Sequence, residues 1–205
     1  MARGIIFKNN GINDLSDTPT GYKYLGYDGE SLSEKNGATV SSIGGGFVHY
    51  LGEDFEGGII YHLYKGSDGL EHGLIVSKTE SSAVWQASGT LTGADRSEDG
   101  SYNTGLMTSS DAATYVTGLT AGGNTDWYLP SIDELELLRD SRFSTNKALR
   151  AGGFTLLLTS LGDYWSSTEY NGSPAALAFT IWWGDRTTKT STKTNTNRVR
   201  AIRSF

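Results

Sequence analysis

Helix-period patterning is confined to one stretch of this chain, residues 110–150, with short β-branched and aromatic runs on both sides of it. In LPSIDELELLRD, Ser131 and Glu134 have the S-x-x-E spacing of a capping box, and Ile132, Leu135 and Leu138 recur along one side. Asp133 and Glu134 also suit the positive end of the helix dipole. Upstream, Ser110 or Asp111 can cap a helix whose Ala112, Tyr115, Val116 and Leu119 fall at i, i+3, i+4 and i+7. A third short helix is expected over 145–150, stopped by Gly152 and Gly153.

Strand signals flank this block. Residues 58–64 (GIIYHLY) and 73–77 (GLIVS) are separated by the turn-rich KGSDGLEH and read as a hairpin, with residues 83–86 continuing its sheet. Residues 154–159, 164–168, 175–183 and 197–205 read as later strands. An early hairpin, two main helices and a late run of strands make the fold class α+β. The 27 Gly, 11 Tyr and 5 Trp against 3 Pro agree with tight turns and aromatic-rich strands.

Residues 11–43 are different: few large aliphatics, many turn residues, and a run of three glycines at 44–46 behind them. That segment cannot bury much by itself. The chain therefore divides into an N-terminal attachment or oligomerisation segment at 1–50 and a domain at 51–205. No stretch approaches the ~20 apolar residues of a membrane span, and MARGIIFKNN is far short of a secretion signal. These features predict synthesis in the cytoplasm without membrane insertion. A net charge of −6 argues against a general affinity for nucleic acid.

Catalytic signatures are missing. With no cysteine there is no disulfide, thiolate site or Cys nucleophile, and no G-x-S-x-G, P-loop or H-E-x-x-H string occurs. His62 and His72 are placed to meet across the hairpin as metal ligands, but ordinary surface or half-buried histidines are the commoner outcome of such a pair. Asp133, Glu134 and Glu136 have the chemistry of an acid/base pair, but the capping box explains them more simply. Asp95, Glu98 and Asp99 lack the spacing of a calcium loop and read as a solvated loop. The expectation is no enzyme, cofactor or metal. The basic residues Arg186, Lys189, Lys193, Arg198, Arg200 and Arg203 read as solvated ladder positions, with an anionic glycan or acidic protein patch left open as their partner.

The motifs GGIIYHLY, HGLIVS, AATYVTGL, TDWYLPSIDELELL, YWSSTEY and RVRAIRSF, in that order from about Gly57 onward, resemble the C-type-lectin-like domains of bacterial and phage proteins. The resemblance implies a mostly antiparallel sheet closed by paired N- and C-terminal strands, with RVRAIRSF beside GGIIYHLY. The Glu-Pro-Asn and Trp-Asn-Asp strings of calcium-dependent lectins are absent, and the cysteines of sulfatase-modifying relatives are absent too. Residues 163–205 are similar to the variable proteins of diversity-generating retroelements, whose YWSST-like and RVR-like ends enclose a diversified stretch. INDLSDTPTGYKYLGYDG looks like an attachment segment of phage tail or fibre proteins.

Together these resemblances imply a phage virion receptor-binding or adhesin protein, assembled in the host cytoplasm into a tail or fibre beside other virion proteins, as a homotrimer. It would recognise a bacterial surface protein or glycan. The alternatives are a structural virion decoration protein or a bacterial lectin-like surface protein. The ligand face would comprise Tyr170, Asn171, Ser173, Leu177, Thr180, Trp182, Trp183, Asp185, Thr187, Thr188, Thr190, Thr192 and Thr194. Aromatic and short polar side chains suit such a face, because they give large contact area and adaptable hydrogen bonds. Strand alternation should bury one of Trp182 and Trp183 and expose the other.

Overall fold

The computed structural model describes residues 47–157, 162–184 and 187–205, together with two short strands near the N-terminus. Its contacts divide the chain into two units, Met1–Phe47 and Val48–Phe205. In the first, β1 (Leu25–Tyr27) and β2 (Leu32–Glu34) form an antiparallel pair. The three-glycine run at 44–46 and most of the proposed attachment segment lie outside the described residues.

The second unit is α+β, as expected, with two sheets. A four-stranded sheet has the order β11-β5-β4-β3, from β3 (Asp54–Phe55), β4 (Gly58–Lys65), β5 (Glu71–Ser77) and β11 (Ile202–Ser204). A five-stranded sheet has the order β6-β10-β7-β8-β9, from β6 (Ser81–Val84), β7 (Asp163–Glu169), β8 (Leu177–Trp182), β9 (Thr187–Thr192) and β10 (Thr196–Val199). All pairings are antiparallel except β10 with β7.

Two expectations change here. RVRAIRSF does not lie beside GGIIYHLY: its second half pairs with β5, which separates it from β4. Nor does the segment stay in one sheet. Val199 ends in the five-stranded sheet and Ile202 begins in the four-stranded one, and the crossing is held by Ser77 N–H donating to Ala201 O at 2.9 Å. β6 likewise opens the second sheet instead of extending the first, because its partner is β10.

Both faces of the first hairpin are buried, which is why GIIY and LIV read as continuous apolar runs. Ile59, Tyr61, Leu74 and Val76 face one core with Leu135, Leu138, Tyr164, Ile181 and Trp183. Ile60 and Ile75 face a second with Trp85, Val116, Trp127, Leu129, Trp165 and Val199. Successive strand residues point to opposite faces, so one hairpin feeds two cores.

Among the described residues there are four helices, α1 (Gly100–Leu106), α2 (Asp111–Thr117), α3 (Ile132–Asp140) and α4 (Arg142–Ala151); α2 and α3 are the two expected main ones, α4 contains the expected third, and α1 is additional. α1 escapes periodicity because its buried residues are Gly100, Asn103 and Thr104. Asp99, read as part of a solvated loop, is its N-cap and accepts from Tyr102 N–H at 2.9 Å. α2 and α3 begin where the capping residues place them, with Ser110 and Ser131 as N-caps. The expected strand at 154–159 is irregular over 154–157, and the rest lies outside the described residues. Asn146 occupies the backbone groups a strand neighbour would need, taking Leu157 N–H at 2.8 Å and donating to Leu157 O at 3.0 Å.

The capping box does more than end a helix. Glu134 is 8% exposed, and its carboxylate accepts from Ser131 N–H at 2.8 Å, Gly100 N–H at 3.1 Å and the Tyr128 hydroxyl at 2.8 Å. It therefore ties the starts of α1 and α3 together. Burial raises its pKa despite these donors. Its carboxyl is committed to structure. Glu134→Ala is expected to cost about 2 kcal/mol by orphaning three donors, read as a lower urea midpoint at unchanged slope.

Candidate functional site

The expected ligand face maps onto the β8–β9 hairpin and the turns at its two ends. β9 is an edge strand of its sheet, β6 being the other. Its register against β8 is regular, from Leu177 opposite Thr192 to Trp182 opposite Thr187. Among the described residues TTKTST pairs on one side only, and the four residues 187–190 are exposed. Thr has high strand propensity and needs no core partner, so the sequence can extend a sheet past the edge of its core.

Register divides the named residues between two faces. Asp163, Trp182 and Thr187 align across β7, β8 and β9, and Trp165, Thr180 and Lys189 form the next row of that face. There Trp182 is half-buried, with the Lys189 ammonium 4.8 Å from the centre of its ring. The opposite face carries Leu177, Thr188, Thr190 and Thr192. The Thr188 hydroxyl donates to Glu136 of α3 at 2.5 Å, and Tyr170 meets Phe179 edge-on at 5.3 Å. Asn171 and Thr194 are exposed and Ser173 half-buried in the flanking turns. Asp185 lies outside the described residues.

Two named residues do not belong to any surface. Thr180 is fully buried, with its hydroxyl 3.4 Å from Asp163 Oδ2. Trp183 is 1% exposed and stacks on Tyr164 at 4.7 Å. Neither can meet a ligand. Of the tryptophan pair, Trp182 is the one that reaches the surface, as alternation requires.

The basic residues of the C-terminal part are also corrected in two places. Lys193 is completely buried: its ammonium donates to Glu169 Oε1 at 2.5 Å and to Thr90 O at 2.7 Å, and lies 4.2 Å from the Trp85 ring centre. Arg200, 1% exposed, reaches Glu80 Oε2 at 3.2 Å, and the same carboxylate takes Arg198 and the Tyr164 hydroxyl. These cations are anchors, not solvated ladder positions. Burial alone would raise the Glu169 pKa, but Lys193 and the donors of Thr92 hold it below the ordinary value. Lys193 is itself pushed down by burial.

The histidines do not form a metal pair. Tyr64 sits opposite His72 and stacks between His62 and His72 at 5.9 and 5.5 Å, while His72 Nε2 turns to Asp68. Among the described residues no group of three or more metal-ligating side chains occurs.

One concave feature was not anticipated. A cavity of about 400 Å³ lies along α3 and α4, lined by Arg139, Asp140, Arg142, Phe143, Asn146, Lys147 and Arg150. Its sequence signal is the spacing of Arg142, Phe143, Asn146, Lys147 and Arg150 in RFSTNKALR, which puts them on one face of a helix.

Residues 74–203 match the model of the Lcl C-terminal domain, and the chain belongs to that family. The coarser part of the resemblance, a lectin-like domain of adhesin type, therefore stands. The chain is also similar to a fimbrial protein from Bacteroides ovatus ATCC 8483, at 19% identity and a TM-score of 0.49, over 67% of this chain and 36% of that one. It thus spans little more than a third of that protein's length. No curated protein matches the sequence.

Proposed function

We propose that the second unit is a non-enzymatic adhesin module that holds a bacterial surface protein or glycan on the Trp182 face of the β8–β9 hairpin. The observation that supports this is the Thr-rich edge strand, exposed over 187–190 beside the half-buried Trp182 and rooted by the buried Lys193–Glu169 pair. A rigid root with short polar side chains beyond it gives a surface whose residues can change without touching the core. Such an arrangement suits a site diversified between YWSST and RVR, and that diversification is part of the proposal. So are the phage virion setting, a tail or fibre, other virion proteins as neighbours and a homotrimer built on the N-terminal segment.

Changing Trp182 and Thr187 together to Ala is expected to abolish adhesion to the cognate cell surface while the melting temperature stays within a few degrees of the parent. Changing Thr188 and Thr190 to Ala should spare it. Unchanged adhesion in the first variant would refute the site. Light scattering on the full chain tests the trimer, and a monomeric mass would overturn it.

A further inference from the structure

From the α3–α4 cavity we infer a second ligand site, separate from the β8–β9 hairpin, that takes a phosphate monoester carried on a sugar or polyol. The charge at the cavity is opposite to that of the molecule. The chain carries −6 overall, yet four of the lining side chains are cationic and one is anionic. The anionic one is already used: Arg139 Nε lies 3.4 Å from Asp140 Oδ1, and Arg139 also approaches Glu136 at 4.0 Å. Arg142 spends one N–H on Trp183 O at 3.3 Å and keeps its charge. Neither Lys147 nor Arg150 pairs with a carboxylate among the described residues.

Arg142, Lys147 and Arg150 therefore face one concavity as three uncompensated cations. Arg150 also complements the C-terminal dipole of α4, but that role needs neither Arg142 nor Lys147. Three positive charges favour an anion carrying close to two negative ones. A phosphate monoester has about −1.5 to −2 near neutrality and three strong acceptor oxygens, which match guanidinium forks. Sulfate esters carry one charge and accept hydrogen bonds weakly.

The remaining lining residue sets the organic part. Phe143 is 81% exposed at the cavity, and its ring lies 6.0 Å from the Lys147 ammonium. An exposed ring beside cations offers an apolar face for the C–H surface of a sugar while the phosphate meets the charges. The volume of about 400 Å³ lies within the range of small-molecule sites.

Calorimetric titration of the full chain with a hexose phosphate, inorganic phosphate, a hexose sulfate and the neutral hexose tests this. The hexose phosphate should bind most tightly, with inorganic phosphate next, and the affinity should fall as salt rises. K147E with R150E should lose about tenfold or more for both phosphates. F143A should bring the hexose phosphate down to inorganic phosphate. K147Q with R150Q, which introduces no new charge, guards against a misfolded reversal, with its melting curve as the check. W182A should bind phosphates as the parent does, so failure of the hairpin site leaves this result standing and the reverse. No binding by the parent, equal binding by K147Q with R150Q, or the hexose sulfate or neutral hexose binding as tightly as the hexose phosphate would each overturn the assignment.

Discussion

Replacing Lys193 with Met should lower the unfolding free energy by ~3–5 kcal/mol near neutrality, because it strands the Glu169 carboxylate in a site 1% exposed. Thr92 N–H at 2.8 Å and Gly93 N–H at 3.1 Å would still hold the carboxylate, but the cation it pairs with would be gone. The pH dependence carries the sign. In the parent, Glu169 has a folded pKa below its ordinary 4.5, so its stabilisation is present above 4.5 and disappears as pH falls through the folded value. Without Lys193, burial dominates and raises the folded value instead. Protonation then relieves the variant, so the gap between variant and parent should narrow as pH falls below neutral. Denaturant melts across that range check both magnitude and slope; a cost under 1 kcal/mol or a gap that widens in acid would refute the account. The backbone of residue 193 still receives Trp85 N–H at 2.9 Å and donates to Ala176 O at 2.9 Å in the variant, so the cost reports the side chain alone.

The second large effect separates two neighbours. Trp183→Ala should cost ~3–5 kcal/mol, since it removes a ring that is 1% exposed and stacked on Tyr164 in the core against α3 and α4. Trp182→Ala should cost roughly 1 kcal/mol, because its ring is only half-buried, with the Lys189 ammonium 4.8 Å from its centre. Any loss of adhesion in a Trp183 variant would then follow unfolding, and loss in a Trp182 variant would not. Adhesion measured beside a denaturant midpoint for each distinguishes them. Equal destabilisation by the two substitutions would contradict the observed burial.

Elements with a strong local signal were legible. The Ser131 and Ser110 caps, the β4–β5 hairpin and the alternation at Trp182 and Trp183 all follow from short-range rules. α1 was not, because a helix that buries Gly100, Asn103 and Thr104 against its neighbours has no apolar stripe. The strand expected at 154–159 is irregular over 154–157 because a side chain eleven residues away, Asn146, takes both backbone groups of Leu157. Lys193 and Arg200 looked like surface residues since nothing near them in sequence reveals Glu169 or Glu80.

What the sequence determined by itself is the class of elements and their order, because capping, turn chemistry and side-chain period act within a few residues. It also marked thirteen residues between Tyr170 and Thr194 as candidates for a ligand face. What only the tertiary structure decided is which of those residues share a face, which two are buried, and where charge accumulates in a cavity. Those outcomes depend on register between strands and on partners 24 to 120 residues apart, as with Lys193 and Glu169 or Arg200 and Glu80. Such pairings arise from packing, and no local pattern encodes them.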